Sequence, residues 1–324
     1  MPGFMVPWLD RFYEPAEIAW ILTFPIDHTP RPKSKDRVAS HSHAREEAAD
    51  FLARCYGRAV ADLDPEGTYV PAGFHKRYEI WALFEGWQDI PDEIRTRLNQ
   101  WELAYFVETK QPVIRDYHKT AVRDRSVVWP EYVLLDEARA LIDRVPHIYL
   151  WPCNCRAMMQ ACNKPEIVCL RFQNSRNLGW EISKQRAKDI MLAAHNEGLM
   201  QSAEIGIAAD GSIRGAICNC CSDCCYPVQL ANHLHIAGLY PLRRYLADVD
   251  VEKCTTCGRC VKRCPFQAFT LAPSQSDDPE GSQKKVYFNS DLCRGCGLCS
   301  TTCPEEAITM QPLASSPLSI LSEI

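Results

Sequence analysis

Two cysteine runs in the last quarter of the chain constrain its fold more than anything else in it. Cys254-x2-Cys257-x2-Cys260-x3-Cys264-Pro265 is followed by Cys293-x2-Cys296-x2-Cys299-x3-Cys303-Pro304, the same spacing twice. A tight loop with a cysteine at every third residue presents three thiolates to three corners of one inorganic cubane. The proline after the fourth cysteine then turns the chain away.

In a doubled run of this kind the fourth cysteine of each run ligates the other cluster. The spacing therefore predicts one [4Fe-4S] cluster on Cys254, Cys257, Cys260 and Cys303, and a second on Cys293, Cys296, Cys299 and Cys264. Gly258, Gly295 and Gly297 remove side chains where the backbone must approach inorganic sulfide. Phe266, Ala268, Phe269, Ala307 and Ile308 are apolar flanks that keep water away. Zinc sites instead pair separated C-x2-C knuckles, and an unbroken four-cysteine run does not suit one tetrahedral ion. Lys253, Arg259, Lys262 and Arg263 crowd the first run, as a basic docking collar for an acidic redox protein or as an ordinary solvated surface.

The remaining cysteines narrow the class of protein. Of 18 in 324 residues, Cys55 stands alone and the other 17 fall between Cys153 and Cys303. A secreted disulfide scaffold is short and spreads its cysteines through the fold. The N-terminus has neither the basic and apolar regions nor the cleavage site of a signal peptide, and Ile18–Phe24 is far too short for a membrane span. The expectation is a cytoplasmic protein whose reduced thiols serve as ligands. Composition excludes wholesale disorder, with 46% apolar residues, and a net charge of −5 offers nothing to nucleic acid.

The expected fold class is α+β in four parts. Residues 1–145 read as a mostly helical domain with an aromatic arm, residues 146–247 as a Cys-rich middle domain, residues 248–310 as a two-cluster ferredoxin-type domain, and residues 311–324 as a tail. The arm carries Phe4, Trp8, Phe12, Tyr13, Trp20 and Phe24, either to dock a partner or to pack on the next domain. The polar run 29–36 is a loop. From His43 the apolar residues Ala48, Phe51, Leu52, Cys55, Tyr56 and Val60 follow helical spacing, which makes Cys55 a buried structural thiol. Helices are also predicted over 92–109 and 131–144, and the histidines of this region, His28, His41, His43, His75 and His118, are too scattered to form a site. In the middle, 148–151 reads as a strand and Ser183 as the N-cap of a helix ending near Gly198. Asp210-Gly211 is a two-residue hairpin signal. Helix followed by hairpin suggests a winged-helix-like element. Residues 272–283 read as a loop inserted in the ferredoxin-type part.

Nine middle cysteines carry the open question: Cys153, Cys155, Cys162 and Cys169, then Cys218, Cys220, Cys221, Cys224 and Cys225. Three readings compete: a further iron–sulfur cluster, a zinc site on the first four, or a redox-active thiol centre. The company of two clusters favours the first. His233 and His235 follow closely, and a surface role suits them better than ligation.

Cys153-x-Cys155-Arg156 through Cys162, Pro165 and Cys169-Leu170, then Ile217-Cys-Asn-Cys-Cys221 with Cys224-Cys225, then the doubled run, resembles a family of 4Fe-4S dicluster ferredoxin-type proteins of anaerobic bacteria and archaea. The resemblance spans residues 131–310 and implies cluster binding and electron transfer, with no particular substrate. The chain has no G-x-G-x-x-G, P-loop or G-x-S-x-G motif. The leading expectation is thus an electron-transfer component of an oxidoreductase system, serving flavoprotein or other redox partners. A reductase with a catalytic middle site is the alternative, and a redox-sensing winged-helix regulator a lesser one.

Overall fold

A computed structural model describes residues 1–24, 45–87, 89–120, 128–273, 284–314 and 321. The predicted loop 29–36, His28, His41 and His43, the insertion from residue 274 to 283, and most of the tail lie outside the described residues. The chain divides into two compact units. The first holds Met1–Glu102, Ala157–Met159 and Asn174–Leu178, and the second holds the remainder.

The first unit contains α1 (Leu9–Phe12), α2 (Pro15–Ile21), α3 (Arg45–Gly57), the hairpin of β1 (Ala61–Leu63) and β2 (Tyr69–Pro71), α4 (Phe74–Phe84) and the start of α5 (Asp92–Thr120). The aromatic arm does not stand free for a partner. Met5, Phe12, Tyr13 and Trp20 are buried, and the Phe12 ring lies 4.4 Å from Trp81 and 5.2 Å from Phe74. Rings of this size gain too much from leaving water to remain a loose arm. Arg77, wholly buried, donates to the Phe12 carbonyl at 2.6 Å and to both carboxylate oxygens of Glu85 at 2.8 and 2.6 Å. Cys55 lies on the buried stripe of α3 with Leu52, and burial pushes its thiol up to about 12.

The boundary between the units falls inside α5, whereas composition places a boundary at residue 145. Ile114, on the distal half of α5, packs with Trp129, Leu230, Tyr240 and Leu242 of the second unit.

At the centre of the second unit is an antiparallel sheet of six strands in the order β3-β7-β8-β5-β4-β6. These are β3 (Glu131–Tyr132), β4 (Tyr149–Pro152), β5 (Ile167–Arg171), β6 (Trp180–Glu181), β7 (Met200–Ile207) and β8 (Ile213–Cys220). α6 (Leu135–Arg144) and α8 (Lys184–Asn196) bury Ala138, Leu141, Ile142, Ala187 and Met191 against Leu170, Ala203, Ile205 and Ile217 of the sheet. Glu131 and Tyr132 belong to the sheet and not to the predicted helix, because they pair with Ala203 and Ser202. Ser183 caps α8, its hydroxyl accepting the Arg186 N–H at 3.2 Å. Asp210 and Gly211 do form a hairpin, but with a three-residue loop: Gly211 N–H reaches the Ala208 carbonyl and Ala208 N–H reaches Ser212.

The sheet differs from the expected winged-helix-like element. A wing projects from the edge of a small module, whereas β7 and β8 are interior strands with neighbours on both sides, β3 and β5. Helix-then-hairpin is a local pattern and does not show which strands close on it.

The remainder of the second unit is α7 (Asn154–Met159), α9 (Tyr226–Leu234) and the C-terminal part. The latter holds β9 (Tyr245–Val249), α10 (Arg259–Arg263), β10 (Phe269–Pro273), β11 (Lys284–Phe288) and β12 (Ile308–Pro312), paired as β9 with β12 and β10 with β11. α7 lies across the division, its last three residues falling in the first unit. Among the described residues, no helix is long and apolar enough to cross a membrane.

Gly215 is the most constrained point of the sheet. Its φ is +114°, and a Cβ there would lie 1.9 Å from the Glu204 carbonyl oxygen on β7. Gly206, on the same hairpin, has open space around it and an ordinary φ. Gly215→Ala is expected to destabilise the protein by at least about 2 kcal/mol in denaturant unfolding, while Gly206→Ala stays within about 1 kcal/mol of wild type.

Candidate metal centres

The two C-terminal runs repeat in backbone as well as in sequence. Positive φ occurs at matching places: Thr256 and Gly295, Gly258 and Gly297, Gln267 and Glu306. The N–H of Ala268 donates to Cys264 Sγ at 3.4 Å, and that of Ala307 to Cys303 Sγ at 3.3 Å. Such N–H···S bonds favour thiolate over thiol. Glycine is obligatory at one of these places, because a Cβ on Gly295 would lie 2.3 Å from the Tyr245 carbonyl oxygen.

Each run sends its fourth cysteine to the other. Cys254, Cys257, Cys260 and Cys303 line one cavity, with Val249, Val286 and Ile308 around them. Cys264, Cys293, Cys296 and Cys299 line a second, with Phe266, Phe269, Leu298 and Met310. The cavities differ in their access to water. Cys257 is exposed at the first, whereas Cys293, Cys296 and Cys299 are all buried at the second. Burial pushes Cys296 up to about 12, and Cys299 also upward. A neutral thiol is thus favoured there unless a cation compensates the thiolate. The donor set fits an iron–sulfur cubane in each cavity: four sulfurs, an apolar wall and backbone donors to sulfur.

The basic collar is smaller than the sequence suggests. Arg263 does not face outward, since it donates to the His195 and Asn196 carbonyls at the end of α8. Lys253, Arg259 and Lys262 remain exposed near Cys257.

The nine middle cysteines gather at one end of the sheet and separate into two sets. Leu170 on β5 pairs with Ile217 on β8, so Cys169 and Cys218 meet just beyond that pair. Six thiols close a ring of mutual contacts: Cys153 with Cys155, Cys155 with Cys225, Cys225 with Cys220, Cys220 with Cys218, Cys218 with Cys169, and Cys169 with Cys153. Bonds from Cys169 and Cys220 hold Cys218 down at about 7, and bonds from Cys155 and Cys220 hold Cys225 well below the usual thiol value. Donation to their neighbours and burial push Cys155 and Cys220 up. The other three, Cys162, Cys221 and Cys224, form a separate close group. His233 and His235 are exposed at the far end of α9 from Cys225, its N-cap residue.

Arg156 is the residue that motif reasoning left without a role. It is 2% exposed, and its Nη2 donates to the Asn219 carbonyl at 2.8 Å, while Nε and Nη1 have no partner. Burial alone would lower its pKa, but the surrounding Cys153, Cys169, Cys221 and Cys220 drive it upward. The hydroxyl of buried Ser202, cross-strand from Cys218, is also unpartnered. A buried guanidinium with two idle donors fits an anionic group, which a metal–thiolate centre or the thiolates favoured at Cys218 and Cys225 would supply. The one signal for Arg156 was its place in Cys153-x-Cys155-Arg156.

Apolar and polar contacts both join this nest to the second cavity. Cys220 and Cys225 share a buried cluster with Tyr132, Met200, Leu298 and Cys296. Beside it, Thr301 and His195 Nε2 lie 2.7 Å apart, and His195 Nδ1 is 2.8 Å from Gln201 Oε1. Gln201 donates in turn to Asn219 Oδ1 at 2.9 Å, and Asn219 donates to the Val168 carbonyl.

Burial lowers the pKa of His195, against a smaller opposite effect of Gln201. An imidazole depressed in the folded state contributes stability above its unfolded value of about 6.5, and that contribution is lost as pH falls through the folded pKa. The thermal midpoint should therefore drop between about pH 7.5 and about pH 5.5, and His195→Gln should flatten that drop. An equal slope in the variant would show that His195 does not set it.

Comparison with known proteins agrees with this geometry where it applies. No curated protein matches the chain. The family described as a 4Fe-4S dicluster domain matches residues 249–310, the segment that contains both four-cysteine cavities, and that match supports iron–sulfur electron transfer.

Proposed function

We propose that the protein is a single-electron relay: a redox partner docks at the first C-terminal cavity, the second cavity lies inward, and the middle cysteine nest is the inner terminus. The observation that carries the reading is the graded burial along one connected path. Cys257 is exposed, Cys296 is buried, and Cys296 shares an apolar cluster with Cys220 and Cys225 of the nest. Bound in these cavities, [4Fe-4S] clusters supply one-electron storage.

The chain's own residues do the rest. Cys254, Cys257, Cys260 and Cys303 form one ligand set, and Cys264, Cys293, Cys296 and Cys299 the other. Tyr132, Leu298 and Phe266 exclude water between the second set and the nest. Arg294, set over the Phe266 ring at 5.4 Å, places a positive charge beside the second set and favours its more negative, reduced state. Lys253, Arg259 and Lys262 offer an acidic partner a positive rim around the exposed ligand, a contact that weakens with salt.

The six-thiol ring, with Arg156 beside it, is the candidate for a further iron–sulfur centre. No three of its sulfurs form a compact single-ion group, as Cys162, Cys221 and Cys224 do among the described residues.

Crossed ligation is tested by variants of anaerobically reconstituted protein. Cys254, Cys257 and Cys260 changed together to alanine should remove four iron and four sulfide and leave one reduced-state paramagnetic signal of the C-terminal part. Adding Cys264→Ala should abolish that remaining signal, and adding Cys303→Ala should not. The reverse order of sensitivity would overturn the assignment. Iron and sulfide no higher than zinc-protein background in the wild type would overturn the relay itself.

A further inference from the structure

We infer that Cys162, Cys221 and Cys224 hold one thiophilic divalent ion of the zinc class, in a site separate from the six-thiol ring. The sulfur spacing is the first argument. Cys162 Sγ lies 3.8 Å from Cys221 Sγ and 3.6 Å from Cys224 Sγ, and all three lie within 4.8 Å of one another. Thiolates on one tetrahedral zinc, at about 2.3 Å from the metal, stand about 3.8 Å apart. Thiolates on a cubane sit on separate irons at its outer corners and must stand wider.

The local backbone is the second argument. Cys221-Ser222-Asp223-Cys224 is a C-x2-C knuckle, and the N–H of Cys224 turns back to Cys221 Sγ at 3.3 Å. Cys162 accepts from the Lys164 N–H, and Cys224 from the Ala161 N–H. All three sulfurs thus have the backbone donors that steady a metal-bound thiolate. Gln229 of α9 clamps the knuckle from behind, donating to the Ser222 carbonyl at 3.2 Å and to the Asp223 carbonyl at 2.8 Å.

The two vicinal pairs are divided between the sites. Cys220 and Cys225 join the ring, while their neighbours Cys221 and Cys224 join the trio. At Cys220-Cys221, where β8 ends, consecutive residues of an extended chain point to opposite sides, and Cys224-Cys225 is divided at the turn into α9, whose N-cap is Cys225. Charge agrees as well. A divalent ion with three thiolates is singly negative, and the Arg156 guanidinium acts on Cys221 as a compensating positive charge. Three thiolates leave the fourth tetrahedral position to a water or an external donor.

The test uses the full chain, purified anaerobically with its iron. Wild type should carry about one zinc in addition to its iron and sulfide, and a chelator should remove the zinc while the iron stays. Cys162→Ser and Cys221→Ser should each weaken zinc binding by at least about a hundredfold, with iron, sulfide and the reduced-state signals unchanged. Cobalt(II) in place of zinc should show the thiolate charge-transfer band of a tetrahedral site in wild type and lose it in both variants. Cys162 lies on a half-buried loop, and the chelator experiment needs no variant, so misfolding at Cys221 leaves the test intact. Loss of iron and sulfide with Cys162→Ser, or a wild-type protein that takes up neither zinc nor cobalt, would overturn the inference. Failure of the electron-relay reading would show instead in the paramagnetic signals.

Discussion

Arg156 is a full positive charge held out of water, and the arrangement of the second unit follows from the need to balance it. Only one of its three guanidinium nitrogens is satisfied by protein, at the Asn219 carbonyl. Several kcal/mol of desolvation must be offset by nearby negative charge. Cysteines supply it only as thiolates, which neighbouring thiols favour at Cys218 and Cys225, whereas burial and donation to those neighbours keep Cys155 and Cys220 protonated. A metal centre held by the nest, as proposed above, would supply that negative charge and couple folding of this region to loading.

The nest is also tied to the C-terminal part through groups that must move together. Thr301 lies between Cys299 and Cys303, and from it a buried polar chain runs through His195 and Gln201 to Asn219, between Cys218 and Cys220. Arg263 adds a second tie by binding the carbonyls that end α8. Helix ends carry partial negative charge, so the guanidinium is held there electrostatically as well. These bonds fix the distance between ligand sets, the quantity on which electron transfer depends most.

How much of this was legible in the sequence differs from residue to residue. The Ser183 cap and the β7–β8 hairpin were readable because each depends on a few adjacent residues. The aromatic arm was ambiguous: Phe12 and Trp20 look alike whether they dock a partner or pack at home, and only Phe74, Trp81 and Arg77 across the first unit decide it. The winged-helix reading failed for a related reason. β7 and β8 satisfy the local pattern, but β3 and β5, distant in sequence, flank them. The break within α5 was invisible to composition, since one continuous helix serves both units.

The cysteines mark the same boundary between local and long-range information. Spacing alone points to eight cysteines as cluster ligands, because three of each set lie within seven residues and the loop between them is too tight for much else. Spacing could not divide the nine middle cysteines. Their division depends on the β5–β8 register that brings Cys169 to Cys218, and on the seating of α9 that brings Cys225 to Cys155 and Cys220. The Cys169–Cys218 and Cys155–Cys225 contacts join segments 49 and 70 residues apart in the chain, where pairing is set by packing and strand register rather than by the loop that carries each thiol.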